Sequence, residues 1–360
     1  MLLKMRPQIL CILILTLFAF TYCKAQNSTW GLYRGVSVAA NKISKADLID
    51  LSRYKVNLIR LTFSSLPLVT KKAPYNFNEV AFMKLEEVLK ICESLSIKVV
   101  IDPHTSPGFE KNTTTNANDE FWKDEKWQVY LVKLWQRIAH DYKSRGNVIA
   151  GYDLLNEPSS PMGFPKTVEA DWNLLVAKLV KVIRNEGDNH SIIIETSVGK
   201  NSEGKKLDRI DAISNLKLPD DRNLVVSPHM YQPHIFTHQG VEGQPKVANN
   251  LYPGVIDGEN WDKNSLEIKL KALKDFEIKN HVPIYIGEFS ASRNSGLSGN
   301  QYLKDLIQIF EKNNWSWTYH MFRAAPIWDA ELSVTDLNDT TRKSTTPRMQ
   351  LLNSYFRKNK

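Results

Sequence analysis

Between Gly35 and Phe322, short apolar runs alternate with longer stretches in which apolar side chains recur every three or four positions. Eight runs have strand character: Gly35–Ala39, Val56–Leu61, Lys98–Asp102, Val148–Leu154, Ser191–Glu195, Asn223–Pro228, Pro283–Phe289 and Ser316–Phe322. Several are nearly uninterrupted (NLIRL, IKVVID, VIAGYDLL, PIYIGEF), the pattern of parallel strands covered on both faces. Helical spacing marks Asn78–Leu95, Phe121–Ser144, Val168–Glu186, Ser265–Lys279 and Gln301–Asn313. In the second of these, Trp127, Tyr130, Leu131, Leu134, Trp135, Ile138 and Tyr142 share one face and read as core. This alternation predicts an α/β fold, one (β/α)₈ barrel, with no Pro-, Gly- or Ser-rich linker to divide it. The alternative is a doubly wound open sheet, but no glycine-rich phosphate loop follows the first strand. The turn-rich segment Pro228–Trp261 is expected to be a loop after the sixth strand.

The first 25 of the 360 residues stand outside this pattern. Lys4 and Arg6 precede an apolar stretch from Ile9 to Phe20, and Cys23-Lys24-Ala25 puts small residues at the −3 and −1 positions of a cleavage site. That is the layout of a secretory signal cut before Gln26, and the stretch is too short to span a bilayer. Residues 26–360 are then one folded unit, secreted or periplasmic and free of the membrane. Cleavage lowers the formal charge from +8 to +5. The basic residues are dispersed, which argues against a nucleic-acid partner. Cys11 and Cys23 leave with the signal, so Cys92 remains alone and is expected to be a buried core thiol.

In a barrel, the carboxyl ends of the strands converge on the face where chemistry occurs. Those ends carry Arg60, then His104 in Asp102-Pro103-His104, Asn156-Glu157, His229 and Tyr231, Glu288, and finally Trp317 and His320. Each has a structural alternative, an ion pair or a turn cap, but six strand ends so furnished point to one site. The stretch GYDLLNEP places Asn156 beside Glu157 where Pro158 ends strand pairing. Adjacent strand residues face opposite ways, so both can address one cleft only if the backbone is already leaving the sheet.

Two glutamates across a barrel mouth suit glycosidic hydrolysis. One protonates the leaving oxygen and the other attacks the anomeric carbon, with retention when the carboxyls lie about 5–5.5 Å apart. Glu288, with Arg60 and Tyr231 as partners, is the one expected to stay ionised. Glu157, beside neutral Asn156, is the one expected to carry the proton, and Asn156 is suited to a sugar 2-hydroxyl.

From about Gly35 to Trp328 the chain resembles glycoside hydrolase family 5, the cellulase-like retaining (β/α)₈ enzymes. The motifs that carry this are Leu58-Ile59-Arg60, Asp102-Pro103-His104, YDLLNEP, His229-x-Tyr231 and IGEF. The resemblance implies Glu157 as acid/base and Glu288 as nucleophile, with Arg60, His104, Asn156, His229 and Tyr231 around the sugar in subsite −1. It also implies an aromatic floor from the last strand. Many members carry W-x-x-W there, whereas this chain has Trp317 followed by His320, so Trp328 is the alternative platform. Trp261, Tyr252 and Phe236 could line further subsites or pack within their own loop. Arg323 and Asp329 could add polar contacts, but each is read as part of a surface salt bridge.

The expected activity is a retaining β-glycosidase, endo-acting on a β-linked glucan, monomeric and without a cofactor or metal. Mannan and β-1,3-glucan are the nearest alternative substrates. A non-catalytic carbohydrate-binding barrel would lack one of the glutamates. A metal-dependent hydrolase would want convergent ligands, and no H-x-H or H-E-x-x-H pair is present.

Overall fold

The computed structural model describes residues 29–109, 119–159, 171–200, 206–241, 243–246 and 251–359. The expected signal lies outside them. Eight parallel strands form the barrel: β1 (Arg34–Ala39), β2 (Leu58–Thr62), β3 (Lys98–Asp102), β4 (Ile149–Asp153), β5 (Ser191–Glu195), β6 (Leu224–Ser227), β7 (Tyr285–Phe289) and β8 (Ser316–Tyr319). Pairing runs in sequence from β1 to β6, and β8 joins β7 to β1. A parallel bridge from Val226 to Ile284, and the pairing of His229–Met230 with Glu288–Phe289, close the ring between β6 and β7. The barrel expectation holds.

The longer helices are α1 (Lys45–Arg53), α2 (Glu79–Ser94), α3 (Glu125–Tyr142), α4 (Trp172–Asn185), α5 (Lys263–Asn280), α6 (Gly296–Lys312) and α7 (Pro347–Phe356), with a short helix Asp119–Lys123 just ahead of α3. Five match the expected helices. The sequence pattern does not predict α1: it has nine residues and buries Leu48 and Leu51, too short a stripe to read. Its start is nonetheless written locally, in a Ser44–Asp47 capping box. Between β5 and β6 a single turn of tighter helix, Asp211–Asn215, stands where a full helix would complete the repeat. The loop after β6 does form, and it contains a helical turn (His234–Thr237) and a hairpin (Gly254–Ile256 with Glu259–Trp261). Among the described residues no helix is long and apolar enough to cross a membrane.

Strand periodicity sorts the core into two layers. Leu58, Val100, Ile193, Val225 and Tyr285 form a small cluster plugged at one end by Trp30 and Tyr33. The alternate residues, such as Ile59, Leu61, Val99, Ile101, Ile192 and Ile194, pack with the helices in the large cluster. Continuing the inner rows two residues toward the carboxyl ends gives Arg60 above Leu58, Asp102 above Val100, Glu195 above Ile193 and Ser227 above Val225. The barrel therefore changes from an apolar plug to a charged mouth within one turn of the pleat. Cys92 is fully buried in the helix layer, as expected, and burial pushes its thiol up to about 12.

Candidate active site

Arg60 is the hub of the mouth and has no exposed surface. Its Nε donates to Asp153 Oδ2 at 2.8 Å, and Nη1 donates to Glu288 Oε1 at 2.6 Å. Its Nη2 donates to Asn156 Oδ1 at 3.1 Å and Glu195 Oε1 at 2.9 Å, and lies 3.1 Å from Asp102 Oδ2. Burial disfavours the cation, but Asp102, Asp153, Glu288 and Glu195 outweigh it and hold the guanidinium charged. One cation does not neutralise four carboxylates. Asp153, fully buried and facing Glu195 and Asp102, is pushed far above the ordinary aspartate range despite Arg60.

Glu288 is turned into the mouth where the β7–β8 register shifts between Ile286 and Phe289. Besides Arg60, it accepts a hydrogen bond from the Tyr231 hydroxyl, 2.8 Å from Oε2. His229 Nδ1 stands 3.8 Å and His320 Nδ1 3.4 Å from the same oxygen. Burial alone would raise the Glu288 carboxyl; His320 when it is protonated, His229 and Arg60 reverse this and hold it below the usual range, against the opposing charge of Glu157. His320 itself is depressed by burial and by Arg60, His104 and His229, over the pull of Glu288, so at neutral pH it is a neutral imidazole. Arg60 and His229 are then the charges that keep Glu288 ionised.

Glu157 sits on a left-handed backbone (φ 44°). Its own N–H donates to Glu195 Oε2 at 2.7 Å, which fixes the turn. The NEP segment thus leaves the sheet at Glu157, as its sequence suggested. The carboxylate faces His229 Nδ1 at 3.0 Å and accepts from Arg209 Nη2 at 3.3 Å. Carboxylate oxygens of Glu157 and Glu288 and a ring nitrogen of His229 all lie within 4.8 Å of one another. Such a trio could be taken for a cation site. However, His229 is pushed up to about 10 because Glu195, Glu288 and Glu157 outweigh the cost of its burial. A doubly protonated imidazole has no lone pair to give a metal. Gly287 makes room for it: a Cβ there would lie 2.4 Å from Ser227 Oγ and 3.1 Å from His229 Nε2.

The structure brings together Arg60, Asn156, Glu157, His229, Tyr231, Glu288 and His320. His104 also reaches the mouth: its backbone N–H and ring Nδ1 lie 2.7 and 2.8 Å from the two Asp102 oxygens, at φ 64°. Trp328 closes one side, with ring centres 5.8 Å from His320 and 6.2 Å from Tyr231. Trp317 does not belong to the site. It is fully buried against Phe289 and Phe356, and its Nε1 donates to Glu311 at 3.1 Å. The cause is parity: Ser316 and Thr318 lie on one face of β8, Trp317 and Tyr319 on the other, and the Thr318 row continues to His320.

Phe236 and Tyr252 pack against each other and against Tyr302 of α6, and the Tyr252 hydroxyl donates to Asp305 of the same helix. Trp261 is buried too. Arg323 pairs with Glu331, Asp47 and Asp50, and Asp329 pairs with Arg342. The sequence reading passed over Asp153, Glu195 and Arg209. The first two had a signal, an acid ending an apolar strand; Arg209 lies in a loop and had none.

A barrel whose mouth sets two opposed glutamates around buried cations is the architecture of a glycosidase, and the comparisons agree. The family described as Cellulase (glycosyl hydrolase family 5) matches residues 24–325. Endoglucanase C of Acetivibrio thermocellus is 24% identical over 294 residues, covering 75% of this chain and 81% of that protein. Cellodextrinase A of Ruminococcus flavefaciens is 26% identical over 212 residues, covering 59% and 58% respectively. Endoglucanase Cel5A from the hyperthermophilic Thermotoga maritima has a TM-score of 0.68 at 26% identity, covering 89% of this chain and 97% of that one. The chain belongs to glycosyl hydrolase family 5 and is a retaining O-glycosyl hydrolase of the cellulase type.

Two predictions follow from this electrostatic frame. His229 is protonated in the fold up to about 10 against an ordinary 6.5, so its contribution to stability is complete below 6.5 and is lost as pH rises through 10. In urea unfolding, His229→Gln should therefore fall furthest below wild type at pH 6, with the gap closing toward pH 10. Gly287→Ala should push His229 off Glu157 and Glu288. Its kcat/KM should drop by roughly 10²-fold, as for a misplacement of about 1 Å, while the chain remains folded by circular dichroism.

Proposed function

We propose that Glu288 is the nucleophile and Glu157 the general acid/base of an exported endo-β-glucanase. The observation that carries the assignment is the separation of the two carboxylates, within 4.8 Å at their oxygens, across a mouth in which Glu288 alone is gripped by Arg60. That spacing is shorter than the roughly 6.5–9.5 Å at which inverting enzymes seat a water opposite the leaving group, and it suits direct attack on the anomeric carbon. Tyr231 and Arg60 each occupy one oxygen of Glu288, which keeps the anion aimed. Glu157 faces His229 from the other side and delivers a proton to the departing oxygen, then takes one from water when the glycosyl-enzyme is hydrolysed. Asn156, held by Arg60, presents its amide to the 2-hydroxyl.

A β-1,4-glucan fits the endoglucanase relatives and a structure of the Thermotoga enzyme with cellobiose. A further structure of that enzyme holds mannotriose, so mannan belongs in the test panel. Purified β-1,4-glucan, β-1,3-glucan, mannan and xylan should be compared, with products analysed by chain length. Mid-length oligomers from β-1,4-glucan support the reading; release of monosaccharide alone opposes endo action. The mature protein is expected to begin at Gln26, and Edman sequencing of material exported by its host checks this; an intact Met1 would refute cleavage.

Glu288→Ala should lose at least about 10⁴-fold in kcat on every β-glycan, near the loss of a whole covalent catalytic unit. Azide should restore turnover with a product of inverted configuration. Glu157→Ala should fall by about 10²–10⁴-fold on polysaccharide yet still release a dinitrophenyl group, which needs no protonation. Near-normal turnover by Glu288→Ala would refute its assignment.

A further inference from the structure

His320 is a titratable group at the mouth that the proposed reaction leaves unused. Its main-chain N–H donates to the Phe289 carbonyl at 3.0 Å, so the residue is anchored beside β7. Tyr231 and Trp328 stand nearly perpendicular to its ring, at 85° and 74°, and fix its plane. Nδ1 is buried without a hydrogen-bond partner, and the nearest charged atom is Glu288 Oε2 at 3.4 Å.

These facts determine the tautomer. A neutral imidazole carries one proton, and a lone pair on Nδ1 aimed at an ionised carboxylate would be repelled. The proton therefore belongs on Nδ1, leaving the Nε2 lone pair as an acceptor with no hydrogen bond to it among the described residues. Arg60 and Tyr231 donate to Glu288, and the protonated His229 beside it has only N–H groups to offer. A sugar hydroxyl must donate as well as accept, and His320 Nε2 offers it an acceptor beside the nucleophile.

We infer that His320 Nε2 accepts a hydrogen bond from one hydroxyl of the sugar ring seated over Glu288, and that His320 selects substrates bearing that hydroxyl. The inference rests on Glu288 being the nucleophile. It makes the last-strand residue a polar reader of the ring, with Trp328 alone left to stack. It also separates two kinds of discrimination: a stacking face tolerates loss of a hydroxyl, whereas a built acceptor rejects the analogue that lacks it.

The test uses the aryl β-disaccharide that the enzyme hydrolyses fastest, a cellobioside if the glucan reading holds and a mannobioside otherwise. It is compared with analogues lacking the 3- or the 6-hydroxyl of the aryl-bearing sugar. The ratio of kcat/KM for parent and analogue is taken within each variant, so it is independent of the fraction of correctly folded enzyme. Wild type should lose about ten-fold or more at one of the two positions, and His320→Phe should reduce that penalty to near unity. His320→Gln, which keeps an acceptor, should retain more of the penalty than His320→Phe. Equal ratios in wild type and His320→Phe at both positions would overturn the inference. Azide rescue of Glu288→Ala reports on the nucleophile independently, so failure of that assignment would be seen there.

Discussion

A guanidinium removed from water is costly unless counter-charges surround it, and the mouth of this barrel is arranged around one. Arg60 rises from β2 through the centre and is met by acids from β3, β4, β5 and β7. Each of those acids would be expensive to bury alone. Together they require Arg60, and Arg60 requires them, so the strand ends are tied across the barrel rather than only to their neighbours. The excess negative charge is met by a raised proton affinity at Asp153 and by a second buried cation, His229. What reaches the cleft is a carboxylate, Glu288, held ionised and aimed.

The same frame places the partner glutamate. Glu195 takes Arg60 on one oxygen and the Glu157 backbone N–H on the other, and its first oxygen also lies 3.2 Å from His229. One buried acid therefore links the hub, the imidazolium and the turn that carries Glu157. Glu157 needs that support, because a non-glycine residue in the left-handed region is strained unless its surroundings hold it there. The juxtaposition of amide and acid in NEP makes physical sense on this footing. Asn156 points to Arg60, and the backbone reverses one residue later so that Glu157 can face the same cleft.

Much of this was legible in the chain because strand period and strand ends are local properties. Eight apolar runs with polar residues at their carboxyl ends specify a barrel and a mouth without any long-range information. Trp317 and His320 show where such reading needs care, since three residues along a strand means opposite faces. Trp317 went to the helix layer and His320 to the cleft. The loop aromatics Phe236, Tyr252 and Trp261 were open to either role because a turn-rich segment has no period from which to infer burial. Arg209 and the Glu195 bridge depend on contacts between distant segments, and no local pattern announces them. Helix α1 was hidden for the opposite reason: it is so short that its two buried leucines make no stripe.

The central claim is that a sugar becomes bonded to Glu288 and is released with its configuration unchanged. The direct measurement is proton NMR of a β-1,4-linked oligosaccharide during the first minutes of hydrolysis, before mutarotation mixes the anomers. The β-anomer should appear first and the α-anomer should grow in later. If the α-anomer is formed first, water has attacked directly, and the opposed pair of Glu157 and Glu288 does not do what their geometry indicates.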